Sequence, residues 1–588
     1  MTNHQQRPAA TRRRSRLRPK ARQPGRLKSR PLAIGVRRGP QNGQAGDHPR
    51  ETWAAVRLGG DNGRPAAGGQ KDESRQDQGQ DQGTSPADVS ALQEEPGQAP
   101  PVKVSTRLDA NRDYLARELG YGESFDILMR PLQLAGRQGL LVAVDGFVKD
   151  DVLLRVVQFI NSQGPQLLEG KEEEFGRNLQ RAGIGYIETE AADTLDQVVD
   201  AVLAGQTAIL VEGSSRAILL DMRTYPARDT EEPDLERVIR GPRDGFAETL
   251  VYNTALIRRR LRDPRLRMEM TTVGTRSKTD VVLTYIKDIA DPRMVDQIRS
   301  KLKAITTDGV PMAERTIQEF LVGRRHIWNL FPTVRFTERP DVAAVHLLEG
   351  HLAIITDTSP AVMLLPITFF HHLQHAQEFH EDPLIGMYIR LLRYFGVFLS
   401  WLGPALWLAA TLQVETLPQW LRFIGPREGP GPIPLYLQLI FAEMGIDLIR
   451  LALIHTPNTL ASSLGIIGAI LLGELAVSVG LFVPEVILYV ALATIGNFAT
   501  PSVELSNAIR IQRLLLLLLA GIGGLPALGV GLLAVLLIML STRSFGVPYL
   551  WPLVPFNGRA LVDVVFRKTA TAEQARPSFL RPRDPDRS

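Results

Sequence analysis

Four apolar runs dominate the last third of the chain: Tyr394–Gln413, Thr459–Val483, Glu485–Leu505 and Leu514–Leu540. Each reaches the length of about 20 residues that carries a helix across about 30 Å of hydrocarbon. A fifth stretch, Ile433–His455, is apolar over most of its surface but holds Glu443, Asp447 and Arg450. Their i, i+4, i+7 spacing puts the three on one helical face. This stretch reads as a re-entrant or interfacial helix, or as a span whose charges face other protein. Because Arg450 can neutralise a neighbouring carboxylate, the trio is expected to form a structural charge network. Four crossings leave the soluble region and the basic C-terminal tail (Arg559, Arg567, Lys568) on one side. Flanking basic residues make that side the cytoplasm. Pro526 and the "GIGGLPALGVG" cluster are positioned to kink the last span, which would leave Arg510 and Arg513 outside it.

The 20-residue run "LGIIGAILLGELAVSVGLFV" (464–483) carries Glu474 at its middle. A charge at a helix centre costs about 2.5–3.5 kcal/mol on insertion scales, so it marks a face turned to protein or water. At about 100° per residue, Ser463 and Ser478 lie close to Glu474. Gly465, Ala469, Gly473, Ala476 and Gly480 fall mainly on another side, as a seam for close helix packing. Two readings of Glu474 stay open: a pore-lining carboxylate that forms a ring in an oligomer, or a buried partner for Arg450 or another helix. In "HTPNTL", Thr456 is the expected N-cap of this helix, with Pro457 in its first turn.

Ahead of the membrane segments, residues 108–390 read as soluble α/β in two subdomains, 108–230 and 231–390, divided near Pro226–Pro242. "GLLVAVDG" is a buried strand, and "TAILVEGSSRAILLD" is a hairpin around Gly-Ser. "DTLDQVVDAVLAG" is a helix with a glycine stop. "HLLEGHLAIITDTSP" reads as a second hairpin, turning at Glu-Gly, and "GPRDGFAETLVYNTALIRRRLRDPRLRMEM" as a charged helical stretch. Its Arg258, Arg259 and Arg260 are a solvated face or subunit interface, or a site for an acidic partner or lipid headgroups. "TERPD" (337–341) is a turn set by Pro340, with Glu338 or Arg339 in a salt bridge. The fold class is therefore a cytoplasmic α/β domain followed by a helical integral membrane domain (391–545) and a basic tail (546–588).

Residues 1–105 are arginine-dense and then Gly/Gln/Asp-rich, a composition that cannot bury enough apolar area to order itself. They read as a solvated tail, as an extension from a misplaced start, or as a basic arm for anionic lipid or nucleic acid. No nucleic-acid partner is expected. The N-terminus has no apolar core after its basic residues, so no signal peptide is expected. The chain has no cysteine, which excludes disulfides and thiolate chemistry. It has no P-loop, no G-x-S-x-G and no H-E-x-x-H. "HHLQHAQEFHED" offers His371 and His375 at i, i+4, with Glu378 and His380 nearby. It reads as a zinc pair or, equally in pattern, as a polar collar beside the membrane. No catalytic, cofactor-binding or metal residues are assigned, and the chain is not expected to be an enzyme.

Long stretches carry a resemblance: "GPRDGFAETLVYNTALIRRRLRDPRL", "FPTVRFTERPDVAAVHLLEGHLAIITDTSP", "AEMGIDLIRLALIHTP" and "RSFGVPYLWPLVPFN". From Asn111 to Arg567 the chain resembles the GerA family, the A-type subunits of bacterial spore germinant receptors. His455 and Glu474 stand where arginine and glutamine are common in those subunits, and this points to an accessory branch of the family. The resemblance implies a place in the spore inner membrane and a role in germination through ion movement. It also implies oligomers that act as channels, with other germination proteins or a small membrane partner. The alternatives are a non-conducting membrane scaffold that recruits germination proteins, and a small-solute transporter. The transporter reading is weakened because no repeat of membrane segments is visible.

Overall fold

The computed structural model describes residues 100–134, 136–162, 188–224, 236–323, 329–416, 431–454, 456–567 and 575–587, together with 418, 419, 425 and 429. The N-terminal tail up to residue 99 and His455 lie outside the described residues.

The soluble region holds two five-stranded antiparallel sheets with the same wiring. In the first, β1 (Ile127–Leu134), β2 (Arg137–Val144), β3 (Thr189–Ala192), β4 (Thr207–Val211) and β5 (Ala217–Leu220) lie in the order β1-β2-β4-β5-β3. In the second, β6 (Leu266–Val273), β7 (Thr279–Ile286), β8 (Arg335–Thr337), β9 (Leu352–Thr356) and β10 (Val362–Leu365) lie in the order β6-β7-β9-β10-β8. Each sheet is thus an opening hairpin, helix, strand, helix and closing hairpin.

Helices cover both faces of both sheets, so central strands are apolar on both sides rather than alternating. In the first sheet, α1 (Leu108–Leu119) and α3 (Leu195–Leu203) cover one face, with Leu115 and Val198 packed on Val142 and Leu210. On the other face, Val156 and Ile160 of α2 (Asp150–Ser162) meet Ile209 and Val211. In the second sheet, β9 sends Ala353 and Ile355 toward α4 (Leu250–Arg260) and α7 (Pro340–Glu349). It sends Leu352 and Ile354 toward α5 (Pro292–Lys303) and α6 (Ala313–Val322).

Local chemistry sets the boundaries. Thr194 caps α3 in a reciprocal capping box with Gln197. Thr194→Ala is expected to cost about 1 kcal/mol, read as a lower thermal unfolding midpoint of the detergent-solubilised chain. The Gly-Ser hairpin between β4 and β5 forms as the sequence predicts. The Glu-Gly turn does not: Gly350 (φ 103°) ends α7 in the left-handed conformation, and the second hairpin turns later, between β9 and β10. Glu349-Gly350 carries a helix stop, where the sequence was read as a strand turn. Similarly, the charged stretch 241–270 is helical only in α4 and then becomes β6.

Arg258 is buried, not solvated. It donates to Asp126 at 2.9 Å and to the carbonyls of Asp263 and Leu266, tying the two subdomains together. Arg260 pairs with Asp244 at 2.6 Å. In "TERPD", Pro340 opens α7 and Arg339 binds Asp341 at 2.8 Å.

Beyond a single turn, α8 (Gln377–His380), the chain enters a helical bundle. Its elements are α9 (Pro383–Thr411), α10 (Leu435–Ile454), α11 (Asn458–Ala469), a π-helical segment (Ile470–Leu475), α12 (Ala476–Ser478), α13 (Pro484–Phe498) and α14 (Val503–Ser541). Among the described residues, three helices are long and apolar enough to cross a membrane: Pro383–Thr411, Leu460–Ser478 and Val503–Ser541. A short amphipathic helix, α15 (Gly558–Val565), follows.

The 39-residue α14 is not a straight rod. At Gly524 the backbone leaves helical geometry (φ 60°, ψ −148°). A Cβ on Gly531 would meet Leu519 Cδ1 at 2.7 Å and Leu516 Cδ2 at 3.0 Å, although 15 residues of helix span about 22 Å. Met539 clusters with Leu505 and Ile509 at the other end. The element is therefore an antiparallel helical hairpin with its tip at Gly524. Only glycine takes this backbone conformation without strain. The expected kink is a full reversal, and Arg510 and Arg513 lie within its first arm.

Candidate functional site in the helical bundle

Contacts give each segment a direction. α9 starts beside the soluble region and ends near the hairpin tip, where Gln413 approaches Gly524. α10 starts near that tip, with Tyr436 against Gly521, and returns until Arg450 lies over the Phe498 ring at 4.8 Å. The segment from α11 to α12 runs out again, to where Gly480 meets Gly431. α13 returns antiparallel to α9: Tyr489 stacks on Trp407 (centroids 4.5 Å) and Gly496 lies against Gly396. Among the described residues, the two arms of α14 complete six alternating passes. The last pass ends at Thr542, whose hydroxyl accepts from Asn329 Nδ2 at 2.8 Å. The soluble region and the C-terminal segment thus sit at the same end of the bundle.

The charges on α10 are paired, but not as their spacing suggested. Glu443 accepts from Arg513 at 2.5 Å, with both side chains buried. Arg513 also donates to the carbonyl and hydroxyl oxygens of Ser400 on α9. Asp447 pairs with Arg510 at 3.1 Å. Arg450 makes no ion pair among the described residues and packs over Phe498 instead. The network joins α10 to the first arm of α14, so both cations come from residues expected to lie outside the span. Local i, i+7 arithmetic does not see a partner supplied across 70 residues.

Glu474 lies within the π-helical segment. Ser463, Glu474 and Ser478 are all exposed. Glu474 makes no hydrogen bond or ion pair among the described residues, and Ser478 only donates back to the Leu475 carbonyl at 2.9 Å. The chain therefore does not bury Glu474 against Arg450. The π segment also changes the angular step per residue, so a uniform 100° step does not fix the line through the two serines. The small-residue seam is largely unpacked within the chain. A Cβ at Gly465 or Gly473 would meet nothing, whereas Gly468, outside the expected seam, is the close contact, against Ile449. In the apolar 18-residue stretch of Leu460–Ser478 only 6% is buried, against 33% in that of Pro383–Thr411. At the start of this helix Pro457 is the cap. The Thr456 hydroxyl instead donates back to Ala452 O at 2.6 Å.

The "HHLQHAQEFHED" cluster is dispersed. The chain is a 3-10 turn over Phe369–Leu373, so His371 and His375 do not share an α-helical face. Buried Glu378 binds Arg390 at 2.7 Å and also pairs with Arg393. His380 lies 3.6 Å from Asp341. Burial pulls His375 down to about 4, with Arg393 adding to the effect. At the junction, His372 bonds Ser502 at 3.0 Å and Pro332 O at 3.1 Å. The C-terminal segment returns to the start of α9, where Tyr394 donates to Val564 O at 3.1 Å and Arg390 to the same carbonyl at 3.0 Å.

Residues 113–579 match the family described as Bacillus/Clostridium GerA spore germination protein. Stage V sporulation protein AF of Bacillus subtilis is 44% identical over 82% of this chain and 97% of its own length. The uncharacterized membrane protein YfkQ of Bacillus subtilis is 32% identical over 75% and 85%. Among solved structures, the N-terminal domain of the A subunit of the Bacillus megaterium spore germinant receptor GerK3 is 22% identical, covering 46% of this chain and 99% of that domain, with a TM-score of 0.36. With its apolar helices and a family match over most of its length, the chain is a membrane protein that belongs to the GerA family of spore germination proteins.

Proposed function

We propose that this protein is an oligomeric ion channel, or a channel component, in the spore inner membrane, and that it amplifies ion release during germination. The observation that carries this reading is Glu474: an exposed carboxylate without a partner among the described residues, on the least buried of the long apolar helices. A carboxylate left against lipid is costly. Packing protomers around an axis would turn it toward water, as a ring that attracts cations. The open seam at Gly465 and Gly473 leaves room for a neighbouring backbone. The six alternating passes would all cross, with the soluble region and tail cytoplasmic. Glu443 and Asp447, neutralised by Arg513 and Arg510, would hold the bundle together and stay out of the conduction path. The reading is non-enzymatic, with partners drawn from other germination proteins, including a small membrane protein.

The test is cation flux in liposomes, with and without a co-expressed small membrane partner. Glu474→Gln is expected to lower flux several-fold while leaving oligomer size unchanged. Unchanged flux would remove Glu474 from the pore. Absence of flux from correctly assembled wild type, in both arms, would favour a scaffold.

A further inference from the structure

Three histidines from separate segments converge at the junction between the second sheet and the bundle. His346 lies on α7, His351 follows the Gly350 helix stop, and His371 sits on the 3-10 turn that leads toward α9. All three are buried, and their ring centroids are 5.0, 5.1 and 5.8 Å apart. One nitrogen from each comes within 4.8 Å of the others.

The hydrogen bonds fix the tautomers of two of them. His346 Nδ1 is 2.8 Å from Val342 O, and His351 Nδ1 is 2.7 Å from Pro366 O. A carbonyl only accepts, so each Nδ1 must carry the proton. In a neutral ring, Nε2 then presents a bare lone pair. Both Nε2 atoms are buried with no hydrogen-bond partner among the described residues. The third ring accepts at Nδ1 from the Thr368 backbone N–H at 3.3 Å, with the Thr368 hydroxyl 2.7 Å from the same nitrogen, so in the neutral ring its proton sits on Nε2. A Glu349 carboxylate oxygen stands 3.6 Å from His351 Nε2.

We propose that His346, His351 and His371 bind a divalent zinc ion, with Glu349, one of whose oxygens accepts from Arg587 at 3.0 Å, closing in through its other oxygen as the fourth ligand. Two buried lone pairs without a hydrogen-bond partner among the described residues, beside a third ring nitrogen, are what a cation resolves, and zinc would displace the Nε2 proton of His371. A second nitrogen tied to a carbonyl or hydroxyl is the outer-shell arrangement that orients metal-binding imidazoles. Three neutral imidazoles and a carboxylate suit zinc. Zinc–nitrogen bonds of about 2.0–2.1 Å set tetrahedral ligands about 3.4 Å apart, so the rings close inward by roughly an ångström. A filled tetrahedron leaves no open position, so the site is structural. Its ion would pin the second soluble subdomain to the turn from which His372 reaches Ser502, at the start of α14.

The test uses the full chain, purified without a histidine tag, exposed to zinc and then desalted. Mass spectrometry of metal content is expected to find about one zinc per chain. Cobalt in its place is expected to give the visible absorption of a tetrahedral site. His346→Ala and His351→Ala should each reduce retained zinc to background, while His380→Ala, outside the trio, should leave it unchanged. If the alanine variants do not fold, His351→Gln supplies the same comparison, and the wild-type measurement stands alone. No zinc retained by folded wild type overturns the site. Zinc that persists in both alanine variants overturns the assignment to these residues.

Discussion

Arg513→Leu is expected to destabilise the bundle by about 3–5 kcal/mol, because it strands Glu443 as an unpaired buried acid. Both side chains are 2% exposed, so little solvent screens the loss. The same substitution removes both hydrogen bonds to Ser400, releasing α9 from the first arm of α14. The double variant Glu443→Leu/Arg513→Leu should recover most of the stability, because an apolar pair replaces the ions without leaving a charge behind. The check is denaturant unfolding in detergent micelles across the double-mutant cycle. A single-variant cost below about 1 kcal/mol, or a double variant as unstable as the sum of the singles, would contradict a buried pair. Removing Arg510 should cost about 1 kcal/mol or less, because its pair with Asp447 is more exposed.

The second large effect is steric. At Gly496 a side chain would overlap the Gly396 carbonyl of α9 and sit 3.0 Å from Ser400 Cβ. The obstacle is backbone inside a helix, so no rotamer change relieves it. Gly496→Val must force α13 and α9 apart, disturbing the Trp407–Tyr489 stack and the Ser400 contact that positions Arg513. Overpacking of this kind costs about 1–3 kcal/mol or more. A matched control is Gly529→Ala, where a Cβ meets nothing within 4 Å. It should be neutral or slightly stabilising, because alanine favours helix over glycine. Equal thermal unfolding midpoints for the two variants would show that the Gly496–Gly396 approach does not hold the bundle.

Signals confined to one segment were legible in the sequence, and signals that need two segments were not. The Gly-Ser hairpin and the Thr194 helix each lie within a few neighbouring residues, and they appear as expected, whereas the run Glu485–Leu505 divides between α13 and α14. Hydropathy counts residues without recording direction, so it gave a kink where Gly524 makes a reversal. The trio on α10 was given a local counter-ion because spacing rules reach only along one helix, while its cations arrive from α14. The expected solvated face of Arg258–Arg260 fails at Arg258 for the same reason: Arg258 finds Asp126 in the other subdomain. The histidine search stopped at "HHLQHAQEFHED". The pair that joins His371 was visible in "HLLEGH", but only the Gly350 helix stop brings His346 and His351 together.

The hairpin at Gly524 also has a consequence for the order of synthesis. The ribosome makes Glu443 long before Arg513, so the acid is in place with its cation still unbuilt. Until the first arm of α14 arrives, that carboxyl lacks its counter-ion, and a buried acid without one is costly. Docking of the hairpin supplies the partner, so a chain stalled before Val503 carries an acid still waiting for its base.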